Sequence, residues 1–202
     1  MHPFWVYLQL GLGHITDLGG YDHMVFLLAL TAVHTYREWA RLLWLVTAFT
    51  VGHSLTLALA TLKLVSISPA LIEFLIPVTI LCTALAGLFT PTPDPRARPR
   101  PGQQARRAAL GYLLALVFGL IHGLGFANYL QALLGKASVT LPLLAFNLGV
   151  ELGQLAIVAA IVAVGYLLLA IFGVKRREWQ LIQCAVAATL ATQLIVQTYP
   201  VA

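Results

Sequence analysis

Charged residues are scarce in this chain of 202 residues. Asp, Glu, Lys and Arg together make up 9% of it, whereas hydrophobic residues make up 60%. The mean hydropathy is +0.88, and water-soluble domains usually carry charge on about a quarter of their residues. This composition excludes a soluble globular domain. We therefore expect an integral membrane protein whose surroundings are the lipid bilayer.

Cysteine and phosphate-binding motifs are also lacking. The two cysteines, Cys82 and Cys184, lie in apolar runs without the spacing of a disulfide framework or of a thiolate metal site. No GxxxxGK[ST] sequence is present, so we expect no nucleotide as a partner. The formal charge of +5 comes from basic residues at the ends of apolar segments, which argues against nucleic-acid binding.

Long apolar runs take the place of charge. They suit helices that cross ~30 Å of hydrocarbon, and they lack the alternating pattern of a membrane β-barrel. We predict an all-α fold, a polytopic membrane helical bundle of six transmembrane helices plus a short N-terminal interfacial or re-entrant helix. The predicted spans are residues 21–35, 42–62, 70–89, 108–134, 140–172 and 179–198.

Ten of the twelve basic residues fall in three loops that six spans would bring to one side of the membrane. Only Lys63 and Lys136 fall on the opposite side. Because short cytoplasmic loops collect Lys and Arg, we predict that the three loops are cytoplasmic and that both termini lie outside. The ten residues are Arg37, Arg41, Arg96, Arg98, Arg100, Arg106, Arg107, Lys175, Arg176 and Arg177.

The stretch 90–107 has five prolines and five arginines and predicts a flexible linker. It divides a single transmembrane domain, 1–202, into halves 1–89 and 108–202. Each half would contain three spans, so the halves would have opposite orientations in the membrane. That arrangement is common in secondary transporters.

Three ionisable residues are predicted to lie deep in the membrane. At ~1.5 Å per residue, His53 lies about 12 Å, His122 about 18 Å and Glu151 about 16 Å below the outer ends of their spans. Ionisable groups at such depth are costly unless they pair, bind a ligand or face water. We interpret them as one deep layer. Polar side chains near this layer are Ser54, Thr56, Asn147 and Gln154.

A second polar group lies where the spans begin. Residues 11–23, GLGHITDLGGYDH, hold two histidines and two aspartates, and Glu73 begins the third span. We expect these residues above the deep layer, at the outer opening of a path. The aspartates also have a simpler interpretation as helix caps. The outer group consists of His14, Asp17, Asp22, His23 and Glu73.

Imidazole and carboxylate ligands together suit borderline divalent ions such as Ni²⁺, Co²⁺ or Zn²⁺. Magnesium and calcium sites favour oxygen ligands alone. A membrane histidine can equally serve as a hydrogen-bonding contact between helices, and that alternative stays open. The candidate metal ligands are His14, Asp22, His23, His53, Glu73, His122 and Glu151.

Five segments resemble the HupE/UreJ family of bacterial membrane proteins: GLGHITDLGGYDHMVFLLAL, FTVGHSLTLALA, ALIEFLIPVTI, FGLIHGLGFA and FNLGVELGQ. The resemblance implies a permease for nickel, or for nickel and cobalt, in the bacterial inner membrane. It maps the family's His and Asp-His signature onto His14, Asp22 and His23. Seven residues separate His14 from Asp22 here, whereas the best-known members have five.

The sequence thus predicts a membrane permease for a divalent transition-metal cation, with Ni²⁺ as the first expectation and Co²⁺ or Zn²⁺ as alternatives. A homo-oligomer is compatible with this hypothesis. Two other functions stay open. Three histidines, carboxylates and Ser54 would suffice for an intramembrane zinc-dependent hydrolase. The same acids and histidines would also suffice for a proton-relay or assembly subunit without metal.

Overall fold

The computed structural model describes residues 2–92, 103–134 and 139–199, and every regular element in these ranges is helical. The predicted all-α fold is confirmed. Residues 93–102 of the predicted linker lie outside the described ranges. The helices are α1 (Pro3–Thr16), α2 (Asp22–Thr31), α3 (Trp39–Thr61), α4 (Pro69–Phe89), α5 (Gln103–Gly125), α6 (Ala127–Leu134), α7 (Thr140–Ala170) and α8 (Arg176–Thr198).

Five of these helices are long and apolar enough to cross a membrane, namely α3, α4, α5, α7 and α8. The chain is therefore a multi-pass membrane protein. The predicted first span, residues 21–35, is not a long helix. Its counterpart α2 has 10 residues, so it is about 15 Å long and covers only half of the ~30 Å of hydrocarbon.

Arginines gather at one end of the bundle, which we call the basic end. Arg176 donates hydrogen bonds to the carbonyl oxygens of Ala32 and His34, just after α2. Arg177 donates to the carbonyl oxygen of Thr90, just after α4. The ends of α2 and α4 and the start of α8 therefore meet at one level. We call the opposite end the far end.

The two short helices follow one another through the bundle. Helix α1 runs parallel to α7, because Leu8 lies against Gly149 and Ile15 against Gly153. It therefore starts at the far end and points inward. Helix α2 continues to the basic end. Gly11 and Ile15 are buried, so α1 packs into the bundle, and the predicted N-terminal helix in addition to six spans is not confirmed.

Glycine lets two helix pairs approach backbone to backbone. A Cβ atom on Gly119 of α5 would lie 2.1 Å from the carbonyl oxygen of Phe49 of α3. A Cβ atom on Gly11 of α1 would lie 2.0 Å from the carbonyl oxygen of Phe146 of α7. Only hydrogen fits in these spaces. A Cβ atom on Gly123, one turn after Gly119, would lie 2.2 Å from the carbonyl oxygen of His53, so these two glycines form a small-residue face of α5 against α3.

The predicted fourth span, residues 108–134, is interrupted. Helix α5 ends at Gly125 and α6 begins at Ala127, in keeping with the poor helix propensity of glycine. Helix α6 instead folds against the end of α3, where Gln131 donates a hydrogen bond to the carbonyl oxygen of Ala60. His122 lies three residues before the end of α5, so its depth cannot be counted along one helix to residue 134 and depends instead on the helices that surround it.

Candidate metal centre

Four histidines from four helices meet at the centre of the bundle. His23, at the start of α2, lies between the others. Its ring centroid is 5.0 Å from that of His14 on α1, 5.2 Å from that of His122 on α5 and 6.2 Å from that of His53 on α3. The side chains of His23, His53 and His122 are buried. We call these four histidines and Asp22 the histidine cluster.

Neighbouring oxygens determine which ring nitrogen carries the proton in two of the histidines. His23 Nδ1 lies 2.9 Å from Asp22 Oδ1, and His53 Nδ1 lies 3.4 Å from the amide oxygen of Asn147. Because both oxygens act as acceptors, we assign the proton to Nδ1 in each ring. A neutral imidazole then keeps its lone pair on Nε2.

His122 is oriented by a hydroxyl group of α4. The Thr79 hydroxyl donates to the carbonyl oxygen of Ile76 at 2.7 Å and lies 3.2 Å from His122 Nε2. The Thr79 hydroxyl has one proton, which it donates to Ile76. Its oxygen therefore accepts a hydrogen bond from His122 Nε2. The lone pair of this ring is therefore on Nδ1.

The remaining ring nitrogens are buried without a hydrogen-bond partner. They are His14 Nε2, His23 Nε2, His53 Nε2 and His122 Nδ1. A buried polar atom without a partner costs about 1–3 kcal/mol, and here four such atoms lie in one cluster. Imidazole is the commonest protein ligand of metal ions. A divalent metal ion would satisfy these lone pairs, so the donor set fits such an ion.

The ligand atoms form two overlapping groups. Those of His14, His23 and His53 lie within 4.8 Å of one another, and so do those of Asp22, His23 and His122. Two ligands on opposite sides of a zinc-sized ion would be about 4 Å apart. A small inward movement of the rings therefore suffices to close either group around an ion. His23 belongs to both groups.

The cluster lies at one depth. His53 lies about 12 Å from the far end of the bundle, counted to the end of α3. Thr79, which contacts His122, lies about 15 Å from the same end, counted from the start of α4. His14 lies about 16 Å after the start of α1. The predicted separation of the outer group from the deep layer is therefore wrong for His14, Asp22 and His23. The reason is that α1 enters the bundle beside α7.

The predicted ligand Glu151 is engaged outside the cluster. Thr47 donates to Glu151 Oε1 at 2.7 Å, and Thr50 donates to Gln154 Oε1 at 2.8 Å. With Asn147 these residues form a polar contact between α3 and α7. Asn147, Glu151 and Gln154 therefore lie on one face of α7, but Glu151 belongs to neither ligand group within the described residues.

The other predicted polar residues also lie apart from the ligand groups. Glu73 lines a cavity of about 310 Å³ at the far end, together with Lys63. Asp17 is exposed and accepts a hydrogen bond from the backbone N–H of Gly19 at 2.8 Å. The hydroxyl groups of Ser54 and Thr56 donate to carbonyl oxygens of their own helix.

Sequence reasoning missed Thr79 and the aromatic residues around the cluster. The available signal for Thr79 was a hydroxyl two residues after Pro77, in a mainly apolar helix whose other polar residues include Glu73 and Thr83. The aromatic residues gave no signal of their own, because phenylalanine is common in any apolar helix. They are Phe26, Phe49, Phe126 and Phe146.

Comparison with known families agrees with the resemblance seen in the motifs. The family described as HupE / UreJ protein matches residues 1–201. This chain belongs to the HupE/UreJ family. The match includes every helix that contributes to the histidine cluster. No curated protein and no solved structure matches the chain.

The turn between α1 and α2 brings His14 to the Asp22–His23 pair across seven intervening residues. Residues 17–20 in this turn are exposed and lie outside the cluster. His14 therefore still reaches His23, although seven residues separate it from Asp22.

Proposed function

We propose that this HupE/UreJ protein is a permease for a divalent transition-metal cation, and that the histidine cluster is its central binding site. The observation that carries the proposal is the convergence of four unpartnered ring nitrogens from α1, α2, α3 and α5. Ligands on separate helices can move apart and release an ion. Conduction requires such release, whereas a rigid cage would retain the ion.

Nickel and cobalt are the preferred cargo. Several imidazoles and one carboxylate suit Ni²⁺, Co²⁺ and Zn²⁺, and the family resemblance favours the first two. Asp22 would have two roles, since its carboxylate orients the His23 ring and adds a negative charge at a buried cation site. Partners of this kind hold a ligating histidine in one tautomer and strengthen its binding.

The path of the chain supports transport. We infer that α1 and α2 form one discontinuous span, which with the five long helices makes six crossings. Secondary transporters bind their cargo near the bilayer midplane, beside such broken helices. The basic end would face the cytoplasm of a bacterial inner membrane, and the far end would face outward. The energy for uptake would come from a gradient or from a partner.

A proteoliposome assay tests the proposal. Vesicles containing the purified protein and a trapped metal-sensitive dye should take up Ni²⁺ faster than protein-free vesicles. The His23→Gln variant should lose uptake, because His23 belongs to both ligand groups. His2→Gln is the matched control, since the exposed His2 lies just before α1, outside the cluster and both cavities. Equal uptake by wild type and His23→Gln contradicts the proposal.

A retained zinc ion is the main alternative. The Asp22–His23 pair resembles the carboxylate–histidine pairs of zinc sites, which favours a hydrolase as the second candidate. Elemental analysis after chelator washing separates the two functions. About one zinc per chain that survives washing indicates an enzyme, in keeping with the tight metal retention of zinc proteins. A site that empties and exchanges Ni²⁺ indicates a permease, and no metal binding at all would leave the proton relay.

A further inference from the structure

Two short motifs occur once in each half of the chain. LQLGLGH, residues 8–14 of α1, matches LVFGLIH, residues 116–122 of α5, with the pattern LxxGLxH. AFTVGHSL, residues 48–55 of α3, matches AFNLGVEL, residues 145–152 of α7, with the pattern AFxxGxxL. The order is the same in both halves. His14 and His122 occupy equivalent positions in the first motif.

The motifs also make equivalent contacts. In the pair α1 and α7, a Cβ on Gly11 would lie 2.0 Å from the carbonyl oxygen of Phe146. In the pair α5 and α3, a Cβ on Gly119 would lie 2.1 Å from the carbonyl oxygen of Phe49. Both helix pairs are parallel, but α1 runs toward the basic end and α5 runs away from it. The two halves are therefore related by an approximate twofold axis in the plane of the membrane, as in inverted-repeat transporters.

One aromatic pair lies on the far side of the histidine cluster. The rings of Phe126 and Phe146 stack with centroids 4.8 Å apart. Phe126 lies 4.1 Å and Phe146 5.7 Å from the His14 ring. Phe126 occupies the break between α5 and α6. Gly125 and Ala127, on either side of it, line the far-end cavity of about 310 Å³.

A second aromatic pair lies on the basic side. The rings of Phe26 and Phe49 are 4.8 Å apart, and they lie 5.4 Å and 5.1 Å from the His122 ring. Phe26 also lines a cavity of about 380 Å³ that extends to Arg41 at the basic end. Phe49 and Phe146 are the equivalent phenylalanines of the AFxxGxxL motif, so the repeat supplies one member of each pair.

We propose that these two pairs are the gates of the permease. Phe126 and Phe146 separate the histidine cluster from the far-end cavity, and Phe26 and Phe49 separate it from the basic-end cavity. With both pairs closed, the side chains of His23, His53 and His122 are buried. Opening one pair at a time would expose the ion to one side only, which is alternating access. The inference rests on the proposed function, because a gate needs a cargo to release.

Side-specific release of bound metal tests the gates. Vesicles with the protein in one orientation are loaded with Ni²⁺, and a membrane-impermeant chelator is then placed either outside or inside. Phe126→Ala should speed release toward the far end by roughly tenfold, the equivalent of about 1.4 kcal/mol, with no change on the other side. Phe26→Ala should speed release toward the basic end by a similar factor, with no change toward the far end. Phe89→Ala, an exposed phenylalanine at the basic end, should match wild type.

Leucine variants guard against loss of folding. Phe26 is fully buried, so Phe26→Leu and Phe126→Leu, which keep most of the volume, should show the same side preference with smaller increases. Metal release at the wild-type rate from all four gate variants overturns the gates, and so does equal acceleration on both sides.

The two proposals fail in different ways. If release is side-specific but wild type shows no net Ni²⁺ uptake, the proposal of a permease is overturned, and the proposal that the aromatic pairs control access to the cluster stands. Uptake by wild type without side-specific release overturns the gates and keeps the permease. If wild type binds no Ni²⁺, both are overturned.

Discussion

Gly11→Ala is the sharpest test of how α1 positions the cluster. The new Cβ would lie 2.0 Å from the carbonyl oxygen of Phe146, whereas ordinary contact begins at 3.4 Å. Helix α1 must therefore move away from α7 by about 1.4 Å. Gly13 on the same helix has nothing within 4 Å of its Cβ position. Gly13→Ala is thus a matched control in which no movement is needed.

The expected stabilities follow from two opposing effects. Overpacking lowers the free energy of unfolding by about 1–3 kcal/mol, and replacing a helical glycine with alanine raises it by up to about 1 kcal/mol. Gly11→Ala should therefore lower the free energy of unfolding by about 1–2 kcal/mol, and Gly13→Ala should raise it by up to about 1 kcal/mol. Thermal unfolding of both variants in detergent, followed by tryptophan fluorescence, measures the difference.

Metal binding should change along with stability in Gly11→Ala. A shift of this size adds to the inward movement that the His14 ring must already make to reach an ion, so His14 should become a much weaker ligand. We expect Ni²⁺ affinity to fall by about 100-fold, measured by competition with a chelating dye, because even outer-shell partners contribute 10–100-fold. If Gly11→Ala is as stable as Gly13→Ala and binds Ni²⁺ normally, then α1 does not pack on α7 as described.

Three further predictions concern other parts of the structure. Asp22→Asn should lower Ni²⁺ affinity by about 10–100-fold in the same competition assay, whereas Glu151→Gln should leave it within a few-fold, because only Asp22 belongs to a ligand group. Gly119→Ala, with its Cβ 2.1 Å from Phe49, should be destabilised like Gly11→Ala, and Gly111→Ala, whose nearest atom is at 3.6 Å, should not. Arg176→Met removes hydrogen bonds to two carbonyl oxygens after α2 and should lower the free energy of unfolding by about 2 kcal/mol, measured by thermal unfolding.

Sequence patterns predicted the parts of the fold that depend on one helix at a time. Apolar length predicted the five long helices, and residue type singled out the polar side chains of residues 147, 151 and 154 on α7. The short helices were harder to predict from the sequence, because α2 lies within a longer apolar run. Two repeated motifs were visible in the sequence as well, but seven or eight residues with four matches carry little weight until contacts align them.

The sequence by itself determined a helical membrane protein with imidazole and carboxylate groups at its centre, because hydropathy and residue type act locally. Only the tertiary structure decided which of these groups meet. Counting from helix ends separated His14 and His23 from His53, since no helix pattern shows that α1 inserts beside α7. That insertion depends on two faces fitting together, Gly11 against the backbone of Phe146. Contacts of this kind between distant segments brought the four histidines into one cluster and placed an aromatic pair on either side of it.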